Sequence, residues 1–477
     1  MSSTDQTPDR LYSAREPIFP RRVSGKYRSL KWWLLAICLG IYYLLPWIRW
    51  DRGPNLPDQA VLIDLANRRF FFFTIEIWPH EFYFVAGLLI MAGLGLFLFT
   101  SALGRVWCGY FCPQTVWTDL FILVERWVEG DRNKRVKLWN ARWDVRKWRL
   151  RLTKWGLWLA IAVATGGAWV FYFADAPTLM WNLVTFQAHA VAYSTILVLT
   201  LTTFILGGFM REQVCVYMCP WPRIQAAMMD EATLTIGYRE WRGEPRGKHR
   251  KAEGAAQLGD CIDCNACVNV CPMGIDIRDG QQLACITCGL CIDACDDVMD
   301  KVGKPRGLID YMALSDEARE RAGTPAKAVW RHIFRVRTIF YTLLWSAVGV
   351  GLVVALFIRP DIGMTVAPVR NPIFVTMSDG SIRNTYDVRV RNMHGEDRAF
   401  QLSMTPVEGF SISVEGAEDA TFTVPADETL LKRVYIVAPA GSAAANAATS
   451  DVRIWLEGLA EAERTYDDTV FNGRGMK

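Results

Sequence analysis

The chain has 477 residues and a net charge of only +4, and 51% of it is hydrophobic, with 20 Trp and 24 Phe. That length allows several domains, the small net charge excludes nucleic-acid binding driven by bulk electrostatics, and the aromatic richness suits a membrane protein with interfacial belts. The positive charge is segregated along the chain, so it carries information about orientation instead.

Residues 1–30 are polar and basic and read as a cytoplasmic tail. Through residue 31 the chain carries seven Lys and Arg: Arg10, Arg15, Arg21, Arg22, Lys26, Arg28 and Lys31. Five apolar runs, at roughly 31–50, 82–103, 155–173, 191–210 and 340–358, are long enough to cross a bilayer and have no charge in their middles. The stretch 104–154 carries twelve Lys and Arg, the loop 51–81 only three and the loop 174–188 none. The positive-inside rule therefore places the N-terminus, the 104–154 loop and the cysteine-rich stretch beyond 238 in the cytoplasm; five spans then send the C-terminal part to the periplasm. The first run is no cleavable signal, because Pro46-Trp47-Ile48-Arg49-Trp50 follows it in place of a small-residue cleavage site. Cys38, inside that run, reads as a small buried apolar residue.

The loop 51–81, with Pro54, Pro57 and the run Phe70-Phe71-Phe72-Phe73, is expected to lie against the membrane surface. His80 and His189 fall at the outer ends of two spans; two histidines without a spacing motif read as interfacial hydrogen-bonding residues rather than haem or copper ligands.

The second and fourth runs end in one repeated pattern, C-x3-C-P: Cys108, Cys112 and Pro113, then Cys215, Cys219 and Pro220. Cysteines at i and i+4 share a helix face, and the proline stops the helix just after them. Brought together, the two pairs would make a soft four-thiolate site at the membrane surface, suited to Cu(I), zinc or iron–sulfur. Cys108, Cys112, Cys215 and Cys219 are therefore candidate copper or redox thiolates. One such pair would pass as packing cysteines; two in the same topological slot argue for a role. Between them the stretch 134–154 interleaves Trp139, Trp143 and Trp148 with Arg and Lys, and reads as a helix lying on anionic lipid.

A Gly- and charge-rich linker (Gly243-Glu244-Pro245-Arg246-Gly247-Lys248) opens onto the densest motif in the chain. Cys261, Cys264, Cys267 and Cys271-Pro272, then Cys285, Cys288, Cys291 and Cys295, write the bacterial ferredoxin run C-x2-C-x2-C-x3-C twice, the first time with its proline. Three thiolates two residues apart wrap one face of an iron–sulfur cube, and the fourth, a helical step onward, reaches the other cube. This assigns Cys261, Cys264, Cys267 and Cys295 to one [4Fe–4S] cluster and Cys271, Cys285, Cys288 and Cys291 to a second. Zinc ribbons need only four ligands at wider separation, and a disulfide framework suits neither the spacing nor the cytoplasmic side. In one departure from the pattern, Asp296 stands where the second run would have proline.

Beyond residue 359 short runs alternate at period two: Tyr386, Val388, Val390; Phe400, Leu402, Met404; Phe410, Ile412, Val414; then runs near 422–424, 430–437, 452–456 and 466–471. About seven short strands in about 118 residues predict an antiparallel immunoglobulin-like sandwich, without a Cys pair or a catalytic constellation.

Several of these features together resemble the FixG/CcoG family of cbb3-type cytochrome c oxidase accessory proteins: Pro46-Trp47-Ile48, Trp78-Pro79 with Glu81-Phe82-Tyr83, both C-x3-C-P pairs, the double ferredoxin run, Lys304-Pro305-Arg306-Gly307-Leu308-Ile309 and the C-terminal sandwich. The resemblance covers nearly the whole chain. It implies an α-helical protein of the bacterial inner membrane with about five spans, an inserted ferredoxin module with two [4Fe–4S] clusters and an all-β immunoglobulin-like end. It further implies support of oxidase assembly by reduction of Cu(II) to Cu(I), with copper chaperones or assembly factors as partners. The expected division is 1–30 tail, 31–238 four spans with both C-x3-C-P motifs, 239–310 ferredoxin module, 311–339 linker, 340–358 fifth span and 360–477 sandwich. Two rival readings are a quinol-linked electron-transfer subunit and an assembly scaffold whose clusters sense iron or oxygen. The electron donor is not named by the sequence, no nucleotide fingerprint is present, and a homodimer in the membrane is left open.

Overall fold

The computed structural model describes residues 17–53, 56–247, 258–360, 362–405, 409–417, 419–460 and 463–475. Arg10 and Arg15 of the tail, Pro54 of the first loop and Lys248 of the linker lie outside them. The chain forms two compact units, residues 1–49 with 59–352 and residues 50–58 with 353–477.

In the first unit α1 (Lys26–Leu44) leads to an antiparallel sheet of β1 (Val61–Asp64), β2 (Arg69–Phe72) and β3 (Ile75–Ile77). The expected surface loop is thus a folded element. Phe71 is buried within it, and the buried Gln59 side chain ties it to the chain after residue 170, donating to the Phe171 carbonyl (2.7 Å) and accepting from the Ala176 N–H (2.9 Å). Next come α2 (Tyr83–Leu103), α3 (Val106–Tyr110), α4 (Pro113–Val128), α5 (Arg132–Asn140), α6 (Val145–Val170), α7 (Ala176–Val184) and α8 (Ala190–Thr202). The chain continues from α8 as a π-helix over Thr203–Met210, and a second π-helical piece covers Val214–Met218. After α9 (Trp221–Met228), β4 (Thr235–Tyr238) and α10 (Glu240–Gly243), the cysteine-rich segment supplies α11 (Ala266–Val270) and α12 (Leu290–Val302). β5 (Ile309–Met312) then pairs antiparallel with β4, closing the cysteine segment at its base. α13 (Glu317–Arg321) and α14 (Val329–Ile333) precede α15 (Val336–Ile358).

Among the described residues four helical segments are long and apolar enough to cross a membrane: Lys26–Trp47, Pro79–Leu103, Ala190–Met210 and Val336–Ile358. The fifth expected run, 155–173, falls mostly in the second half of α6. That helix opens with Arg146, Lys147, Arg149, Arg151 and Lys154, so its apolar part is short. It packs closely along α8 all the same: a Cβ on Gly166 would stand 2.8 Å from the Ile196 carbonyl oxygen.

The basic stretch 134–154 is not one surface helix. It breaks between α5 and α6, and while Trp139, Trp143 and Trp148 are exposed, Arg135, Lys147, Arg151 and Lys154 turn inward. Lys147 donates to the Trp139 and Ala141 carbonyls (2.9 and 2.6 Å), and the other three meet Glu125 and Glu129, which with Asp119 make three buried carboxylates on α4 and its C-cap. Glu125 pairs with Arg135 (2.8 Å), Lys154 (3.3 Å) and Arg211 (2.5 Å); Glu129 pairs with Arg151 (3.0 Å) and Lys154 (2.9 Å); Asp119 pairs with Arg28 (2.9 Å) and Lys31 (3.4 Å). Charges this buried persist only when paired, since an isolated ion loses its hydration without return.

The second unit contains two antiparallel sheets built from β6 (Ile362–Pro368), β7 (Val375–Thr376), β8 (Ile382–Asn392), β9 (Arg398–Thr405), β10 (Ser411–Val414), β11 (Thr421–Val424), β12 (Thr429–Ala438), β13 (Thr449–Gly458) and β14 (Arg464–Asn472). One sheet runs β10-β12-β8-β6 with β7 on β8; the other runs β11-β9-β13-β14. The period-two phase holds, since Tyr386, Val388, Val390, Phe400, Leu402 and Met404 all face the core. β6 and β7 are additional to the runs anticipated; Gly363, Pro368 and the two-residue length of β7 hide them from an alternation reading.

Candidate metal centre

The cysteine-rich segment folds around two cavities. The first is walled by Cys261, Cys264, Cys267 and Cys295, with Tyr238 and Leu308 among its other walls. The second is walled by Cys271, Cys285, Cys288 and Cys291, with apolar Ile236, Met273, Ile275 and Ile286; Cys267 lies in the partition and lines both. The fourth cysteine of each run thus crosses to the other run's cavity. Left-handed residues shape the binding loops: Asp263 (φ 54°), Asn265 (φ 55°) and Thr287 (φ 50°). Asp and Asn tolerate this conformation, which turns successive N–H groups toward one concavity. The Thr287 N–H points at Cys285 Sγ (3.4 Å). Arg278 fixes the first loop from behind, donating to Asp263 (2.6 Å), Asn265 (2.5 Å) and Asp276. Without a proline after Cys295, α12 simply continues, and Asp296 accepts a hydrogen bond from the Gly307 N–H (3.0 Å).

These pockets fit iron–sulfur clusters in their chemistry. Burial pushes the Cys271 and Cys295 thiols up to about 12 and those of Cys267 and Cys285 to about 11, and holds Cys291 well above the ordinary thiol value. Thiolates there require a strong positive partner, which iron supplies. Among the described residues no three His, Cys, Asp or Glu side chains close on a single-ion position. Thiols spread over the walls of a cavity suit a polynuclear cluster better than one tetrahedral ion.

The two C-x3-C-P segments adopt related backbones. Each has a left-handed residue four positions before its first cysteine, Gly104 (φ 62°) and Arg211 (φ 44°). Each then has a short helical piece, and each second cysteine is extended, Cys112 at φ −58°, ψ 127° and Cys219 at φ −81°, ψ 125°. Two cysteines on one face of an α-helix is therefore not the geometry found. The proline forces the residue before it out of the helix, and the second segment is π-wound, so each second thiol sits at a bend. The four thiols are neighbours, since burial first and then Cys112, Cys108 and Cys219 push Cys215 up to about 12, but as they stand no three of them close on a single-ion position. Cys108 is buried, donates to Gln225 Oε1 (3.1 Å) and lies 4.0 Å from an Arg105 guanidinium nitrogen. Its thiol is raised by burial, with Arg105 opposing.

The quartet abuts the second cavity. Cys108 and Cys288 share one buried apolar cluster, against which Cys215 and Cys271 pack. Tyr110 donates its hydroxyl to the Cys288 carbonyl (3.0 Å), and a Cβ on Gly109 would stand 2.6 Å from the Ile286 carbonyl oxygen, so α3 lies flat on the 285–288 loop. The start of α1 is fastened to the same module, its Tyr27 and Arg28 N–H groups donating to Asp293 of α12 (3.2 and 2.7 Å). Sequence reasoning singled out none of Arg105, Gln225 or Asp293; the only signal was an Arg three residues before Cys108 and an Asp inside the second cysteine run.

Comparison with known proteins agrees with this architecture. A family model described as a 4Fe-4S dicluster domain matches residues 210–314, another described as a 4Fe-4S binding domain matches residues 84–135, and one for the IG-like fold at the C-terminus of FixG matches residues 352–474. A cluster-binding scaffold carried by apolar helices defines a membrane iron–sulfur protein of the electron-transfer class. Among relatives, protein RdxB of Cereibacter sphaeroides is 68% identical over 476 residues, 100% of both chains. Protein RdxA of the same organism is 65% identical over 94% of each chain, and nitrogen fixation protein FixG of Rhizobium meliloti is 54% identical over 90% of this chain and 88% of that one. The chain belongs to the FixG family. The crystal structure of a FixG-related protein from Vibrio parahaemolyticus matches at a TM-score of 0.21 and 19% identity, covering 24% of this chain and 99% of that one.

Proposed function

We propose that this protein works in the bacterial inner membrane as an electron-transfer protein that reduces Cu(II) to Cu(I) in support of cbb3-type oxidase assembly. Cys261, Cys264, Cys267 and Cys295 would hold one [4Fe–4S] cluster and Cys271, Cys285, Cys288 and Cys291 the other; when bound, the clusters supply one-electron chemistry. The observation that carries the reading is the seating of Cys108 and Cys215, one thiol from each C-x3-C-P pair, against the residues that wall the second cavity. Soft thiolates favour Cu(I) over Cu(II), so a copper ion held there is biased toward the reduced state. Cys108, buried beside Arg105, is the thiol best placed to face the cluster loop, and holding copper would require Cys112 and Cys219, at the bends before Pro113 and Pro220, to move inward.

The orientation follows the charge asymmetry, with the cysteine module cytoplasmic and the sandwich periplasmic. The packing of α6 supports a fifth crossing: Tyr42 near the end of α1 donates to the Thr165 carbonyl (2.7 Å), while Lys154 at the other end of α6 joins the ion pairs around α4, so α6 runs alongside α1. Copper chaperones and oxidase assembly factors are the partners this reading implies.

The test is anaerobic addition of Cu(II) to dithionite-reduced, desalted protein with a chromogenic Cu(I) chelator. Wild type is expected to form Cu(I) in step with cluster reoxidation, and a variant with Ser at all four quartet positions to retain its iron but lose that reaction. Equal Cu(I) formation by the variant would remove the quartet from the account.

A further inference from the structure

Three tyrosines from remote parts of the chain converge on the loop that carries Cys285 and Cys288. Tyr110, buried on α3, donates its hydroxyl to the Cys288 carbonyl (3.0 Å), and Tyr311, on β5, donates its hydroxyl to the Thr287 carbonyl (2.7 Å). Two adjacent carbonyls of one cysteine loop are thus held from two different elements. Tyr27, on α1, packs beside Tyr311, with ring centroids 5.6 Å apart, and lies over Gly289, where a Cβ would stand 2.6 Å from its ring. None of the three tyrosines lines the second cavity, so they cover the outer face of the loop.

Peptide geometry carries this to the inner face. In a planar trans peptide the C=O and N–H point in opposite directions. The Thr287 carbonyl shares its peptide with the Cys288 N–H, and the Cys288 carbonyl shares its peptide with the Gly289 N–H. Holding both carbonyls outward turns those two N–H groups toward the face on which Cys285, Cys288 and Cys291 wall the cavity. The Thr287 N–H, one step earlier, points at Cys285 Sγ (3.4 Å). Thr287 (φ 50°) and Gly289 (φ 73°) are both left-handed, a winding that gathers successive N–H groups into a concavity suited to negative charge. A carbonyl that accepts a hydrogen bond also polarises its own peptide, so the N–H at the other end becomes a stronger donor. Donors aimed at cluster sulfurs favour the more negative, reduced state and raise the potential. The first cavity is built differently: the hydroxyl of its Tyr238 donates to the Glu244 carboxylate (3.0 Å), and its Cys264 is exposed.

We propose that Tyr110 and Tyr311 are positioning residues for the second cluster: by holding the Cys288 and Thr287 carbonyls they aim the Cys288 and Gly289 N–H groups at its sulfurs and raise its reduction potential. Electrons then collect at the cluster that lies against Cys108 and Cys215. The inference rests on the assignment of Cys271, Cys285, Cys288 and Cys291 to a cluster and does not depend on copper.

The experiment is a potentiometric titration of the full-length protein in detergent, followed by EPR of the reduced clusters. Cys264→Ser, which alters a ligand lining only the first cavity, identifies which midpoint belongs to which cluster. Tyr110→Phe and Tyr311→Phe keep the rings and remove one donor each. Each variant should retain the wild-type iron content and lower the reduction equilibrium of the second cluster several-fold, and the double variant should lower it about tenfold, or about 59 mV for one electron. The first cluster should keep its midpoint in all three. Unchanged midpoints, an equal shift of both clusters, or loss of iron from the single Phe variants would overturn the proposal. A wild type with one reducible cluster in place of two would instead remove the assignment on which it rests.

Discussion

Replacing Glu125 by Gln keeps the side chain's shape and removes the charge that Arg135, Lys154 and Arg211 share. Burial alone would push this carboxyl up, but Arg211, Lys154 and Arg135 outweigh it and hold it at about 2, against an ordinary 4.5. That difference corresponds to about 3 kcal/mol of stabilisation at neutral pH. Breaking a buried ion pair by deleting one partner costs ~3–5 kcal/mol by an independent route, because the cations stay buried. For a unit of this size the loss is roughly 4–7 °C in thermal midpoint. Because the folded-state value is depressed, the contribution is fully present above pH 4.5 and fades as the pH falls toward 2. Thermal unfolding of wild type and Glu125→Gln in detergent between pH 4 and 8 is therefore expected to show a wide, constant gap above about pH 5 that begins to narrow only near pH 4. A midpoint unchanged within about 2 °C, or a gap that widens on acidification, would refute the reasoning. Arg211 also forms the left-handed turn four residues before Cys215, so the variant is expected to loosen the second thiol pair as well.

Three further outcomes follow from the same geometry. Gly109→Ala places a Cβ against the Ile286 carbonyl and lifts α3 off the cluster loop; Cu(II) reduction should fall roughly tenfold or more with iron content unchanged, and an unaffected rate would show that this contact is not on the route. Asp293→Ala removes the acceptor that caps α1, costing about 1–2 kcal/mol and speeding amide exchange at Tyr27 and Arg28; unchanged exchange would contradict the capping role. With iron chelated away, the thiols raised to about 11 and 12 stabilise the fold only while protonated, so the apoprotein should lose stability as pH rises from about 9 toward 12. A flat apoprotein profile over that range, measured by chemical denaturation, would contradict the burial argument.

What the sequence revealed and what it concealed divide on whether the decisive interaction is local. Cysteine spacing within two runs shows which thiols wall which cavity, because helical steps set where each points. The alternation through Tyr386, Val388 and Val390 shows a half-buried strand directly. The unbroken run Phe70-Phe71-Phe72-Phe73 carries no such alternation, and the small sheet β1–β3 was invisible for that reason. Arg135, Arg151 and Lys154 looked like a lipid-facing face because their anions, Glu125 and Glu129, sit on another helix, and charge counts along the chain do not show pairing in space. The π-winding before Cys219 has no propensity signature at all, so the repeated thiol pair was readable while its geometry was not.

The most direct test of the central claim is stoichiometric. Anaerobically purified protein is assayed for iron, reduced, desalted and titrated with Cu(II). The account predicts about eight irons per chain and one Cu(I) formed for each electron lost from the iron–sulfur absorbance, until the clusters are fully oxidised. About eight irons with no Cu(I) produced would contradict copper reduction, and fewer than about four in well-handled protein would contradict the two-cluster assignment on which it rests.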